Sequence, residues 1–440
     1  MAKGIHTELT FEEAIEVSLL EDGGYVKGHS RDFNTQLGLF PVYITDFLKD
    51  SQPKAWDKLS NIHQEEVEDK VIQRLIRELD LRGTLDVVRN GFTDYGVKFK
   101  MGFFKPETTL NEDDELLYSK NHLSVTRQLY YERKGNNSLD MVLSLNGLPV
   151  STIELKNQFS GQNVTNAKKQ YVFDREPNEP IFSFKKRALV HFAVDTDECF
   201  MTTKLSGKST RYLPFNLGYN NGAGNPINKE GYRTDYLWKY VWAKDSFLDI
   251  IGKFLHLKIE DFELNGVSKK KETLIFPRYH QLDVVRKLTT DAKAKGAGTN
   301  YLIQHSAGSG KSNSIAWLSY RLSSLHNAEN NRIFDSVIVI TDRKVLDSQL
   351  QNTIYQFEHK QGVVQKIDKN SQQLADSLMA GSNIVITTLQ KFPFILDKIG
   401  ELPNRKYAVI IDEAHSSQGG EASKKMKEVL YIFLGGGLGS

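Results

Sequence analysis

The sequence predicts an α/β protein built from two domains of different character. At 440 residues the chain is too long for one small core, and its 39% hydrophobic and 25% charged residues are typical of a globular protein. Up to about Leu257, helical patterns mix with short strands and a loop-rich stretch. From about Lys271, continuous aliphatic strands alternate with helical segments, which is typical of a parallel sheet. We therefore expect one domain in residues 1–260 and a second in residues 276–440.

A linker is predicted between these domains, at residues 261–275. Its stretch Asn265–Thr273 is polar and charged, which favours an irregular connector. The lysine run Lys269–Lys271 is able to contact DNA, but a solvated connector is the favoured interpretation.

The composition excludes several classes of protein. The chain has 57 Lys and Arg residues and 55 Asp and Glu residues, so its net charge is only +2. Any DNA contact therefore has to come from local patches. The single cysteine, Cys199, excludes internal disulfides and Cys-rich zinc sites and fits a reducing compartment. No apolar stretch reaches the ~18 residues of a membrane span, and the first residues lack the apolar segment of a signal peptide. We expect a soluble cytoplasmic protein with no membrane partner.

A phosphate-binding loop is predicted in the second domain. Tyr301–Gln304 is a predicted short strand, the segment HSAGSGKS follows it, and an amphipathic helical pattern comes next at Ile315, Leu318, Leu322 and Leu325. His305 stands where the strict P-loop pattern has glycine, but two glycines just before Lys-Ser are usual in helicase-type motors. The less favoured interpretation is a flexible loop at the start of a helix. The residues expected to bind the nucleotide are Ala307, Gly308, Ser309, Gly310, Lys311 and Ser312.

The residue types in this loop suit a nucleoside triphosphate with Mg²⁺. Gly308 and Gly310 let the backbone curl so that its N–H groups face an anion at the start of a helix. Lys311 can reach the β- and γ-phosphates, and the Ser312 hydroxyl can ligate Mg²⁺.

A second motif, AVIIDEAH, strengthens the prediction of an ATPase. Ala408–Ile411 has the composition of a buried strand and ends in Asp412 and Glu413. In a P-loop ATPase the first carboxylate binds Mg²⁺ through water, and the second orients or deprotonates the attacking water. DEAH alone can arise by chance at the start of a helix, but its pairing with AGSGKS is a specific signal.

Two more predicted strands, Val337–Ile340 and Ile384–Ile386, complete a pattern that resembles the first RecA-like lobe of a superfamily 2 helicase or translocase. The resemblance implies that Gln281 reads the adenine edge. It also implies that the residues after the two strands lie near the DNA backbone or its coupling loops, although each is equally explained as a strand-end cap or turn. These residues are Thr341, Asp342, Arg343, Thr387 and Thr388. Few residues follow His415, so we expect the second lobe to be absent and this chain to bind ATP but hydrolyse it poorly.

The first domain contains a predicted hairpin with a cluster of charged residues. Met141–Leu145 and Val150–Leu155 are strands joined by a turn at Asn146-Gly147. Asp140 enters the first strand, and Glu154 and Lys156 share one face of the second, so the two carboxylates can converge. Such a site suits Mg²⁺ with a positioned water that Lys156 orients. Charged residues on an exposed hairpin face give the same pattern and remain the alternative at this point.

A helical segment follows the hairpin. Ala167, Gln170, Tyr171 and Asp174 share one helical face, so Gln170 or Tyr171 can lie beside the carboxylates.

Most of the chain resembles the motor-and-endonuclease (R) subunit of type I restriction enzymes. The segments that carry the resemblance are NHLSVTRQLYY, LDMVLSLNGLPVSTIELKNQFSGQ, NAKKQYVFDREP, KRALVHFAVDTDE, MTTKLSG, RYLPFNLG and NNGAGNP. The resemblance implies a nuclease domain of PD-(D/E)xK type, a mixed sheet flanked by helices, ahead of a RecA-like lobe. It implies that Asp140, Glu154 and Lys156 are the catalytic triad, in which Asp140 and Glu154 bind Mg²⁺.

The resemblance also assigns Gln170 and Tyr171 to the glutamine/tyrosine motif of these nucleases. In this chain the two residues are adjacent, whereas related nucleases commonly space them as Gln-x-x-x-Tyr. Related nucleases often add a glutamate from an early helix. The candidates here are Glu8, Glu12, Glu13 and Glu16, and the sequence does not choose among them.

By this resemblance the chain translocates double-stranded DNA with ATP and cleaves unmodified DNA with Mg²⁺. Its expected partners are modification (methyltransferase) and specificity subunits, which would hold the S-adenosylmethionine. One alternative is another helicase–nuclease of repair or restriction. An alternative of another class is a non-catalytic scaffold that docks DNA and carries a vestigial nuclease.

Overall fold

A computed structural model describes the chain over most of its length. The described residues are 8–108, 110–220, 222–264, 266–306, 308–341, 350, 353–354, 363–366, 373, 376–377, 380–388 and 405–412. The chain divides into two compact units. The first comprises Met1–Pro106, Asn111–Leu255 and Thr273–Tyr279, and the second comprises Glu107–Leu110, His256–Glu272 and His280–Ser440.

The first unit contains eight of the described α-helices. They are α1 (Glu8–Glu21), α2 (Pro41–Ser51), α3 (Pro53–His63), α4 (Val67–Arg82), α5 (Thr84–Asn90), α6 (Glu112–Ser119), α7 (Val164–Lys169) and α8 (Lys244–Asp249). Helices α2 and α3 each begin with proline, whose fixed φ and missing N–H suit the first helical position. Helix α7 continues directly into a π-helical turn over Gln170–Asp174. The helices flank the sheet of this unit.

That sheet has seven strands and is mixed. In chain order they are β1 (Val26–Lys27), β4 (Leu123–Tyr130), β5 (Ser138–Leu145), β6 (Leu148–Leu155), β7 (Val190–Val194), β8 (Cys199–Thr202) and β9 (Leu213–Pro214), and a separate pair is formed by β2 (Phe92–Asp94) and β3 (Val97–Phe99). The spatial order in the sheet equals the chain order. Strands β1/β4 and β6/β7 pair in parallel, and the other neighbours are antiparallel. The predicted mixed sheet flanked by helices is confirmed.

The predicted hairpin is formed by β5 and β6, which lie in the middle of the sheet. Asn146 and Gly147 both have positive φ, 52° and 83°, as a two-residue turn of type I′ requires. The Asn146 amide is buried, donates to the Met101 carbonyl at 2.9 Å and accepts from the His122 N–H at 2.7 Å. A Cβ on Gly147 would lie 2.7 Å from the Phe40 carbonyl oxygen, so only glycine fits. Turn chemistry and packing therefore fix the register of the two strands.

The second unit contains a parallel sheet. From β10 onward the elements are β10 (His256–Leu264), β11 (Val267–Ile275), α9 (Tyr279–Lys295), α10 (Lys311–Ser323), β12 (Ser336–Thr341), β13 (Val364–Lys366), β14 (Ile384–Thr388) and β15 (Tyr407–Ile411). Strands β13-β14-β12-β15 form one sheet in that order, and every neighbouring pair is parallel. The predicted strands at Val337, Ile384 and Ala408 and the predicted helix after the glycine-rich loop are confirmed.

The segment predicted as an irregular linker is regular structure. Strands β10 and β11 form a two-stranded sheet across residues 261–275, with Gly266 at φ 73° between them. The polar composition concealed the strands because residues from Val267 to Lys271 are exposed on both faces of the ribbon.

Tyr301–Gln304, in contrast, was predicted as a strand and is irregular and exposed. Its four residues have strand-like composition but pair with no neighbouring strand in the described part of the chain, and strand structure depends on such pairing. Among the helices that are described, none is long and apolar enough to cross a membrane.

Candidate active site

Asp140, Glu154 and Lys156 are brought together by the β5–β6 pairing. Met141 lies opposite Ile153, which places Asp140 at the level of Glu154 on the neighbouring strand. Asp140 Oδ2 accepts a hydrogen bond from the Leu155 N–H at 2.7 Å and lies 3.6 Å from Lys156 Nζ. Lys156 Nζ also donates to the Leu155 carbonyl at 2.8 Å. The three residues are nearly inaccessible to solvent, at 7%, 0% and 7% exposure. The charged cluster is therefore buried, which excludes the alternative of charged residues on an exposed hairpin face.

The Glu154 carboxylate has an unusual environment. Its Oε1 accepts from Arg175 Nε at 2.7 Å, whereas Oε2 is buried without a hydrogen-bond partner among the described residues. Burial, followed by the charge of Asp140, raises the pKa of Glu154 well above its usual range, and the charge of Arg175 acts in the opposite direction. The carboxylates of Asp140 and Glu154 therefore meet at a point where a cation would offset their repulsion, and Glu154 Oε2 is the oxygen left to bind it.

The donor set fits Mg²⁺ and does not resemble a zinc or calcium cage. Among the residues that the structure describes, no group of three or more His, Cys, Asp or Glu side chains is arranged around a metal position. Magnesium is commonly held by one or two carboxylates while it keeps several waters. Asp140 and Glu154, with the orphaned Oε2, would supply those carboxylates.

Among the early-helix glutamates, the geometry singles out Glu12. It is buried on α1, and its carboxylate accepts from Gln128 Nε2 at 2.9 Å and from Arg127 Nε at 3.2 Å. Burial and then the charge of Asp140 raise the pKa of Glu12. Glu16 shares the partner Arg127 and also pairs with Lys27. The side chain of Glu8 lies outside the described residues.

The glutamine/tyrosine pair lies at the start of the π-helical turn. Tyr171 is fully buried, and its hydroxyl is 2.8 Å from Thr152 Oγ1, two residues before Glu154 on β6. Thr152 Oγ1 is in turn 2.7 Å from His191 Nδ1. The Gln170 amide oxygen is buried and has no hydrogen-bond partner. The structure thus places Tyr171 in a polar network of the core with Thr152 and His191, and catalytic roles for Gln170 and Tyr171 stay predictions.

Two residues of this site were not assigned from the sequence. Arg175 is the buried partner of Glu154. Tyr212 packs on the same core as Tyr171, its buried hydroxyl has no hydrogen-bond partner, and burial followed by the charge of Glu154 raises its pKa. The sequence carries no simple signal for Arg175, because the segment that precedes it includes exposed residues such as Phe173.

The phosphate loop of the second unit has the expected backbone. Gly308 and Gly310 have φ of 73° and 83°, and Gly310 caps α10, so Lys311 and Ser312 open its first turn. Ser309 Oγ is buried and has no hydrogen-bond partner in the residues that the structure describes. Burial lowers the pKa of His305, and the nearby His280 and Lys311 charges add to this effect. The loop therefore presents a curled backbone, a helix N-terminus and positive charge, which together suit a phosphate. Ala307 lies outside the described residues.

Gln281 contacts the backbone of this loop. Its buried Nε2 donates to the carbonyls of Ser309 at 3.1 Å and Gly310 at 3.0 Å, and His280 Nε2 is 3.1 Å from the Ser309 oxygen. The beginning of α9 thus supports the loop. An adenine contact by Gln281 stays a prediction.

The strand ends of the parallel sheet bring the other predicted motor residues to one edge. Thr341 lies opposite Thr388, and Asp412 follows β15 and donates its N–H to the Ile340 carbonyl at 2.9 Å. Within the described part of the chain, the hydroxyls of Thr341 and Thr387 are buried without hydrogen-bond partners. Asp342, Arg343 and Glu413 lie outside the described residues.

Two protein families match consecutive parts of the chain. The family model for the N terminus of the type I restriction enzyme R protein matches residues 43–210, which include the whole carboxylate cluster apart from Glu12. The model for the SWI2/SNF2 ATPase matches residues 280–434, which include the phosphate loop and Asp412.

Individual relatives agree with both matches. The chain is 22% identical over 417 residues to the putative type I restriction enzyme MjaVIIIP endonuclease subunit of Methanocaldococcus jannaschii, covering 89% of the chain and 38% of the relative. It is 24% identical over 426 residues to the type I restriction enzyme SauCOLORF180P endonuclease subunit of Staphylococcus aureus, covering 93% and 40%. The corresponding SsaAORF53P subunit of Staphylococcus saprophyticus is 24% identical over 370 residues, covering 82% and 36%.

The chain spans about two fifths of the length of these curated relatives. Within that length it carries the R-protein N-terminal domain, a helicase-like ATPase domain and a clustered Asp–Glu–Lys site on a mixed sheet. Its two parts match the N terminus of the type I restriction enzyme R protein and the SWI2/SNF2 ATPase, and most of the chain is similar to endonuclease subunits of type I restriction enzymes.

Proposed function

We propose that this chain supplies the nuclease domain and the first motor lobe of an R subunit that translocates double-stranded DNA with ATP and cleaves unmodified DNA with Mg²⁺. The nuclease domain would occupy residues 1–260 and the motor lobe residues 276–440. The observation that carries the proposal is the buried convergence of Asp140, Glu154 and Lys156, with one Glu154 oxygen unpartnered.

In this proposal each residue of the carboxylate cluster has a role. Asp140 and Glu154 would hold Mg²⁺, which lowers the pKa of a coordinated water and offsets the charge that develops on the phosphodiester. The Leu155 N–H fixes Asp140, and Arg175 fixes Glu154. Lys156, held at the Leu155 carbonyl and 3.6 Å from Asp140, is placed to orient the attacking water or to neutralise the phosphate. Gln170 and Tyr171 would complete the wall of the site.

The motor lobe would bind ATP at the glycine-rich loop. The backbone at Gly308 and Gly310 and the side chain of Lys311 would hold the phosphates, and Ser312 and Asp412 would bind Mg²⁺. Glu413 would act on the attacking water, and Gln281 would contact the adenine while it supports the loop. Because the proposed substrates are ATP and intracellular DNA, we expect the enzyme to act in the cytoplasm. Its proposed partners are modification and specificity subunits, which would hold S-adenosylmethionine.

The nuclease assignment is tested with Lys156→Ala in the R subunit assembled with its modification and specificity subunits. We expect loss of plasmid cleavage by at least a hundredfold, with ATP hydrolysis unchanged, because only the nuclease site loses its ammonium group. Lys54→Ala, which removes an exposed lysine of α3, is the matched control and should cleave normally. Normal cleavage by Lys156→Ala would exclude Lys156 from the site.

The motor assignment is tested with Lys311→Ala in the 440-residue chain. Binding of a fluorescent ATP analogue with Mg²⁺ should be lost, because the variant lacks the ammonium group that would contact the β- and γ-phosphates. The exposed Lys293 of α9 provides the control substitution Lys293→Ala. Equal affinity of Lys311→Ala and the wild type would show that the loop is not the nucleotide site.

A further inference from the structure

The side chain of Arg175 is held from three directions beside the carboxylate cluster. It is only 5% exposed, and its Nε donates to Glu154 Oε1 at 2.7 Å. Its Nη2 donates to the Ser138 carbonyl at 2.8 Å, and its guanidinium lies 5.5 Å from the centre of the buried Tyr131 ring. An arginine stacked on an aromatic ring and bound to two acceptors has little conformational freedom.

These contacts connect the two strands that carry the carboxylates. Ser138 begins β5 two residues before Asp140, and Glu154 is near the end of β6. One guanidinium therefore sets the position of the Glu154 carboxylate relative to the strand of Asp140. Arg175 itself follows the π-helical turn Gln170–Asp174. Such turns are rare in proteins, and those that occur are often found at functional sites.

The pairing also decides which Glu154 oxygen remains for a ligand. Oε1 is occupied by Arg175, whereas Oε2 is buried and has no hydrogen-bond partner. We propose that Arg175 is a positioning residue of the nuclease site, which fixes Glu154 so that Oε2 is presented to the divalent cation. This inference rests on the proposed nuclease function. It requires arginine in particular, because lysine offers a point charge and cannot reach both Glu154 and Ser138 in one fixed plane.

The test removes the guanidinium and then returns it from solution. Arg175→Gly and Arg175→Lys are prepared in the 440-residue chain, and Mn²⁺ affinity is measured by electron paramagnetic resonance without DNA. Groups that orient metal ligands typically contribute ten- to a hundredfold to metal affinity, so we expect Arg175→Gly to bind Mn²⁺ at least about tenfold more weakly. Ethylguanidinium should restore binding, whereas ethylammonium at equal ionic strength should not. Arg175→Lys should show an intermediate loss.

Two controls separate positioning from folding. Arg133→Gly removes an arginine that pairs with Glu179 at 3.1 Å in the same unit, and it should leave Mn²⁺ affinity unchanged. Binding of the fluorescent ATP analogue should be equal in all variants. In the assembled enzyme, Arg175→Lys should raise the Mg²⁺ concentration needed for half-maximal cleavage without changing the KM for DNA.

The outcomes are distinguishable. Unchanged Mn²⁺ affinity in folded Arg175→Gly, or a loss that ethylguanidinium does not restore, would overturn the positioning role. If Arg175→Gly does not fold, Arg175→Lys decides: wild-type affinity overturns the role and weakened affinity supports it. A wild-type chain that binds no Mn²⁺ would refute the proposed nuclease function, and the inference with it.

Discussion

Acid should destabilise the first unit through His191, a fully buried residue of β7. Its ring lies 5.8 Å from the Tyr171 ring and 5.6 Å from the Phe182 ring, and its Nδ1 is 2.7 Å from Thr152 Oγ1. Burial lowers the pKa of His191 to about 3, compared with an ordinary value of 6.5. The unfolded chain therefore takes up the His191 proton below pH 6.5, whereas the folded chain excludes it until about pH 3.

The sign and size of the effect follow from this difference. Between pH 6.5 and about 3 the unfolded state binds more protons, so the free energy of unfolding falls as the pH falls, by about 1.4 kcal/mol per pH unit at the steepest. From pH 7.5 to pH 5 the loss due to His191 is about 2 kcal/mol. Above pH 6.5 His191 becomes neutral in both states, so it no longer lowers the free energy of unfolding.

The assay compares urea unfolding of the wild type and His191→Phe from pH 7.5 to pH 4.5. The substitution keeps an aromatic ring in the core, and Thr152 keeps its partner Tyr171. We expect His191→Phe to be less stable at pH 7.5 by about 1 kcal/mol, for the lost hydrogen bond, but to lose about 2 kcal/mol less on acidification to pH 5. His29→Gln, at an exposed histidine, should follow the wild type. Parallel curves for His191→Phe and the wild type would refute the reasoning.

Other predictions concern the phosphate loop and the core. Gly310→Ala should weaken binding of the ATP analogue at least about tenfold, because the new Cβ would lie 2.4 Å from Gln281 Nε2 at a φ of 83°. The control Gly296→Ala is also at positive φ, but its Cβ would have no atom within 4 Å, so this variant should bind the analogue normally. Equal losses of affinity in the two variants would contradict this prediction. Trp242→Ala should lower the free energy of urea unfolding by about 3–5 kcal/mol, because the indole is fully buried against Phe192. Retention of wild-type stability by Trp242→Ala would show that this core is misassigned.

The sequence predicted well those features that depend only on residues close together in the chain. The turn at Asn146-Gly147, the two strands beside it and the convergence of Asp140 with Glu154 all depend on neighbouring residues and on the two-residue period of strands. The parallel strands of the second unit were equally clear, because their aliphatic runs are continuous.

Features that depend on distant contacts were not predictable in this way. Glu12 was one of four candidates until the fold buried it against Arg127 and Gln128. The pairing of Arg175 with Glu154 requires the path of the π-helical turn, for which the sequence has no simple signal. The ribbon of β10 and β11 was mistaken for a connector because β11 is polar and exposed from Val267 to Lys271 and carries no apolar alternation there.

The most direct test of the nuclease assignment is a crystal structure of the chain soaked with Mn²⁺, with anomalous diffraction measured to locate the ion. The account predicts an anomalous peak coordinated by the carboxylates of Asp140 and Glu154, with Glu154 Oε2 as a ligand and Oε1 still bound by Arg175. A well-ordered site without a peak, or a peak at carboxylates elsewhere in the chain, would contradict the account.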